Sequence, residues 1–178
     1  SRLTQTLERQ SVKYIVHEGI RPNPRDESIR SGAKVAKNHQ VDVLVALGGG
    51  SVMDAARAIS LAATHEGDYA SYALTSNPGI AGIRDILLPV VTIPSTPGTG
   101  SEISPASLIK IGTKKELIVS PCMFPRVALI DPIVQTSLPP SLTAQNGFDA
   151  FAQGLEAYVS TSAQPFSNMY ATEAMRLS

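Results

Sequence analysis

Asp149, Gln153 and Glu156 stand at i, i+4 and i+7 in the stretch QNGFDAFAQGLE. On a helix that spacing puts all three on one face. Their oxygens can ligate a divalent metal, although an amide is a weaker ligand than imidazole for a transition metal. The competing reading is an ordinary helix start, where Asp149 complements the positive end of the dipole. Spacing alone leaves both open and favours the structural one.

Two glycine-bearing phrases carry a different chemistry. In LVALGGGSVMDAARA, an apolar run enters Gly48, Gly49 and Gly50, and Ser51 stands where a helix cap belongs. Glycines let the backbone turn and approach a ligand closely, and the N–H groups of a helix start suit a phosphate. Ser51 and Asp54 also have the spacing of a capping box. The phrase is neither GxGxxG nor a P-loop, and a well-capped turn without a ligand is the plain alternative. In TIPSTPGTGSEIS, the hydroxyls of Ser95, Thr96, Thr99, Ser101 and Ser104 surround Gly98 and Gly100. Hydroxyls and bare backbone N–H groups suit ribose, phosphate or an amide ring; a polar surface loop is the alternative. Two such loops at strand ends of one sheet face a common crevice.

Other reactive side chains are less pointed. Lys115, one of a lysine pair, reads as a solvated surface residue. His17, His39 and His65 lack partners at ligand spacing and read as surface or strand-end residues. Cys122, in SPCMFP, has no nearby base to activate a thiolate.

The elements that must position these groups follow from periodicity. Residues 1–10 read as the end of a helix, VKYIVHEGI as a strand, RPNP as a turn and DESIRSGAKVAKNHQ as an amphipathic helix with acidic residues first. VDVLVAL has the character of a parallel strand buried on both faces, and SVMDAARAISLAATH follows as a helix. Residues 66–86 are rich in turn formers, with a short helix around 68–73. LLPVVTIPS is a second buried strand, PASLIKIGTKKELIVS a hairpin turning at Gly112-Thr113, and RVALIDP a strand stopped by Pro132. From Ser141 on, two helices follow and no strand. Strands alternating with helices, then helices alone, predict an α/β Rossmann-like parallel-sheet domain over 1–139 and the start of an all-helical domain over 140–178.

Composition narrows the function classes. With 15 basic and 15 acidic residues in 178, no basic excess points to nucleic acid or an anionic membrane surface. No run approaches the ~18 apolar residues of a membrane span. The single cysteine excludes an internal disulfide. These features suit a cytoplasmic protein. Both ends read as abrupt, as in a piece of a longer chain.

The phrases PNP, GGGSVMDAARA, TIPSTPGTGSE, KKELIVSPCMFPRVALIDP and LPPSLTAQNGFDAFAQGLEAYVS occur here in that order. Together they resemble the iron-containing (group III) alcohol dehydrogenase family over essentially the whole chain. The TPGTGSE and AxQGxEAY phrases fit this branch better than the related glycerol dehydrogenase and dehydroquinate synthase branch. The resemblance implies an N-terminal domain binding NAD or NADP and a helical domain holding a divalent metal (Fe or Zn). It implies reversible hydride transfer between a small alcohol or aldehyde and the nucleotide, the metal acting as a Lewis acid, and commonly a homodimer. Carried over position by position, Gly49, Gly50, Ser51 and Asp54 fall on the pyrophosphate turn. Ser95, Thr96 and Thr99 fall on the second cofactor loop, with Ser104 beside it. Lys115 falls on a ribose contact, Asn23 on a cofactor-side position and Asp149 on the first metal ligand. Gln153 takes the place of a ligand histidine, and Arg57 that of a frequent lysine. By the same resemblance, two further ligand histidines lie beyond residue 178. The family's first strand and the acidic position that helps select NAD over NADP lie before Ser1. The isolated chain is therefore expected to turn over little substrate. A nucleotide-binding module with an absent or altered metal site is the second reading.

Overall fold

The computed structural model describes residues 2–76 and 82–178. Helix α1 spans Arg2–Arg9. Helix α2, Asp26–Asn38, has Asp26 and Glu27 in its first turn and Lys37 in its last, both favoured by the dipole. It buries Ile29, Gly32, Ala33 and Ala36, the i, i+3, i+4, i+7 stripe of a helix with one apolar face. Strand β1, Leu44–Gly48, leads into helix α3, Gly50–Thr64. A Cβ at Gly32 would collide with the side chain of Ile59, so glycine is what allows α2 to lie close on α3.

Strand β2, Val90–Pro94, pairs parallel to β1 from Leu44↔Val90 to Gly48↔Pro94. Strand β5, Val127–Ala128, pairs parallel to the far side of β2, giving the order β1-β2-β5. Strands β3, Ala106–Ile111, and β4, Lys114–Val119, form the expected antiparallel hairpin, turning at Gly112 with φ 59°. Its inner residues Ile109 and Ile118 join Ile29, Ala55, Ala58, Ile59, Leu61 and Tyr69 in the main core. A short 3-10 turn at Tyr69–Tyr72 answers the expected helix near 68–73. The part of the turn-rich reading that falls on 77–81 lies outside the described residues. Helix α4, Pro140–Val159, starts with Pro140 in its first turn, a position where the missing N–H costs nothing. Helix α5, Pro165–Leu177, is opened by a reciprocal Gln164/Ser167 capping box and packs on α4. Among the described residues no helix is long and apolar enough to cross a membrane.

Four expectations need correction. Residues 12–20 join no strand ladder; their β-branched composition is a local preference, and they pair with none of the described strands. VDVLVAL is covered on one face: Ala46 is buried, whereas Val43, Val45 and Leu47 are exposed. Of RVALIDP only Val127 and Ala128 pair, both with β2. His65 is 4% exposed, not a surface residue.

Candidate functional site

Because Gly48 pairs with Pro94, β1 and β2 end at one level and their loops leave side by side. The Ser95 N–H donates to the Gly48 carbonyl at 2.9 Å, joining the loops at their base. Helix α3 is capped by Gly49, whose backbone is extended, and begins at Gly50. The Gly49 carbonyl accepts from Val52 and Met53 N–H. Ser51 is thus inside the helix, and the capping box expected of Ser51 and Asp54 does not form, since the backbone turns one residue earlier. The first N–H groups of α3 have no intrahelical acceptor and carry the positive end of its dipole. A Cβ on Gly49 would sit 3.1 Å from Thr96 Oγ1, and one on Gly50 3.3 Å from Thr99 Oγ1. The two loops therefore touch where the first has no side chains, and Thr96 and Thr99 overhang the helix start.

Asp54 holds this junction from behind. Its Oδ1 accepts from Ser101 Oγ at 2.7 Å and from Arg57 Nη2 at 2.6 Å; its Oδ2 accepts from the Leu108 N–H at 3.1 Å. Arg57 is 1% exposed. It donates further to the carbonyls of Ser101 and Ala106, each at 2.7 Å, and to Ser101 Oγ at 2.6 Å. Burial pulls the guanidinium below its ordinary pKa; the charges of Asp54 and Glu102 oppose that. Glu102 Oε2 is itself buried without a hydrogen-bond partner. This brace ties α3, the second loop and β3 together. The sequence reading named Ser101 only among the loop hydroxyls and Arg57 only in place of a lysine; it gave neither this brace, although the Asp54/Arg57 spacing of i, i+3 was a signal for an ion pair.

The remaining predicted residues make separate contacts. Ser104 Oγ accepts from the Ala106 N–H at 3.1 Å, a turn contact within its own loop. Lys115 is exposed and lies across the hairpin from Lys110. Asn23 adopts φ 56° in its turn, and the next carbonyl, of Pro24, accepts from Lys110 N–H at 2.8 Å. The PNP turn is thereby docked on the hairpin edge near Lys115. Cys122 is half-buried, its Sγ 3.7 Å from the Ile83 carbonyl.

Asp149 lies in the third turn of α4, not at its start, so a first-turn role with the dipole is excluded. The Gln153 Nε2 donates to Asp149 Oδ2 at 3.1 Å and to the Gly98 carbonyl at 3.2 Å. Gly98 has φ 94°, and a Cβ there would fall onto the main-chain oxygen of Asn146. Helix α4 thus lies directly against the second glycine loop. Among the described residues no group of three or more His, Cys, Asp or Glu could hold a metal ion. Zn²⁺ in protein sites takes at least three side-chain ligands. One carboxylate and an amide that turns its N–H inward do not meet that need. These residues by themselves do not fit a divalent metal.

The sequence profile of iron-containing alcohol dehydrogenases matches residues 1–132. The chain is 38% identical over 173 residues to 1,3-propanediol dehydrogenase of Citrobacter freundii, covering 96% of this chain and 43% of that protein. Its fold matches the crystal structure of NADH-dependent butanol dehydrogenase A from Thermotoga maritima with TM-score 0.87 and 28% identity, over 98% of this chain and 43% of that one. It matches sulfoacetaldehyde reductase from Bifidobacterium kashiwanohense, solved in complex with NAD⁺, with TM-score 0.84 and 31% identity, over 99% and 48%. The chain spans less than half the length of these relatives.

Proposed function

Since this chain belongs to the iron-containing alcohol dehydrogenase family, we propose that it supplies the nicotinamide-nucleotide half of an alcohol or aldehyde oxidoreductase. The observation that carries this is the junction of the two loops at the level ends of β1 and β2. A glycine-lined helix start there meets threonine hydroxyls, a cradle that fits a dinucleotide.

Residues 1–139 form the nucleotide part, and 140–178 begin the helical part. The backbone N–H groups at Gly49, Gly50 and Ser51 hold the diphosphate. Ser95, Thr96 and Thr99 offer hydroxyls to the nicotinamide end, with Ser104 beside them, and Asn23 and Lys115 flank the ribose from the hairpin side. Asp54 acts from behind, since both its oxygens are engaged by Ser101, Arg57 and Leu108; it orders the loops that touch the nucleotide. The nucleotide, NAD or NADP, supplies the hydride acceptor or donor. The substrate is a small alcohol or its aldehyde, and the working protein is a cytoplasmic homodimer.

Titration with NADH and NADPH, followed by nucleotide fluorescence, tests the reading. Saturable binding of at least one, weakened when Gly50→Val crowds Thr99, is the expected result. Absence of binding by either at millimolar concentration overturns it.

A further inference from the structure

The family's name implies iron, yet the side chains on α4 meet each other through a hydrogen bond. The Gln153 amide donates to two acceptors, the Asp149 carboxylate and the Gly98 carbonyl. That pair fixes its orientation, because the reversed amide would set its oxygen against both a carboxylate and a carbonyl. A cation shared by Asp149 and Gln153 needs that reversal and would lose both bonds. Asn146, Asp149 and Gln153, at i, i+3 and i+7, share the helix face that meets Gly98. The backbone contact between Gly98 and Asn146 brings loop and helix together, and the amide closes over it.

We infer that Asp149 and Gln153 form a hydrogen-bonded latch fastening α4 to the second glycine loop, and that the pair binds no divalent cation. Gln153 is a positioning residue: it acts on Gly98, and through it on Thr99 and Ser101. The latch itself stands on contacts within the chain; only its bearing on hydride transfer rests on the function proposed above.

The test is by NMR on the chain, with the Gln153 side-chain amide assigned by its loss in Gln153→Glu. Mn²⁺ and Zn²⁺ are titrated separately. The latch predicts no saturable broadening or shift of that amide or of the Gly98 and Gly100 backbone signals. Stoichiometric, saturable effects overturn it. Gln153→Glu keeps the side-chain length and removes the donor. At neutral pH it is expected to speed amide exchange across residues 99–101 by roughly two- to tenfold, the worth of one net hydrogen bond. Protection returns on acidification, when the introduced carboxyl carries a proton to donate. Unchanged exchange at neutral pH, or no recovery in acid, overturns the latch. If the variant does not fold, the wild-type metal titrations still decide. A chain that fails to bind nucleotide while keeping these NMR signatures refutes the proposed function and leaves the latch standing.

Discussion

Replacing Arg57 with methionine removes a cation that is 1% exposed and leaves a shorter apolar side chain with no donor. Four acceptors lose a partner: the carbonyls of Ser101 and Ala106, the Ser101 hydroxyl oxygen and the Asp54 carboxylate. Breaking a buried pair from one side costs about 3–5 kcal/mol. Asp54 keeps donors in Ser101 Oγ and the Leu108 N–H, so its charge is not abandoned and the lower end applies, about 3 kcal/mol. In a chain of this size each kcal/mol moves the melting temperature by about 2–4 °C, giving a fall of about 6–12 °C. Urea denaturation is the sharper assay: the midpoint should drop while the slope with denaturant stays the same. Arg57→Lys should fall between, since an ammonium keeps the charge but cannot span the same acceptors as a planar fork. A loss under about 1 kcal/mol for the methionine variant would show that the brace contributes no more than an exposed ion pair. The reasoning about the loop junction would then fail.

Gly98→Ala places a methyl on the Asn146 carbonyl at a backbone angle of 94°; both faults together should cost about 2 kcal/mol or more and expose α4 to limited proteolysis, which a wild-type-like digestion pattern would contradict. His65 accepts from the Arg84 N–H at Nε2, at 3.0 Å, and its Nδ1 lies 3.0 Å from Thr64 Oγ1, the ring meeting Tyr72 edge-on. Burial, then the nearby Arg84 charge, pull its pKa below the ordinary 6.5. The neutral ring is therefore favoured in the fold: its stabilisation is complete above the unfolded value and is lost as pH falls below about 6.5 toward the depressed one. Denaturation midpoints at pH 7.5 and 5.5 should differ more in wild type than in His65→Gln, and equal slopes would refute this. Tyr69→Phe removes the 2.6 Å bond from the buried hydroxyl to Asp26 Oδ1. It should cost about 1 kcal/mol by denaturation, and a neutral result would place that hydroxyl in competition with water.

What could be read from the sequence was whatever a short window specifies. The stripe of α2, the glycine at the β3–β4 turn and the run from β1 into α3 each depend on neighbours a few residues away. The strand reading of residues 12–20 failed because a strand exists only with a partner, and composition cannot supply one. The burial of β1 was overestimated for the same reason: Val45 and Leu47 look like core residues, but what covers them is not local. The glycine loops were visible as loops, whereas the brace behind them was not. Asp54 meets Ser101 and Leu108 across 47 and 54 residues, and Gln153 meets Gly98 across 55. Helical spacing placed Asp149 and Gln153 side by side; only the fold supplied the loop carbonyl that orients the amide.

The contact at Gly98 is with the main chain of Asn146, not with its side chain. Such a fit is deaf to the identity of one partner and strict about the other. Under random substitution, position 146 should accept most residues that keep the helix, while position 98 stays closed to all but glycine. The seam between loop and helix can therefore drift in sequence at position 146 without opening, while Gln153 stays fixed by its bond to the Gly98 carbonyl. A lineage could rework position 146 of α4 while the glycine loop beneath it remained unchanged.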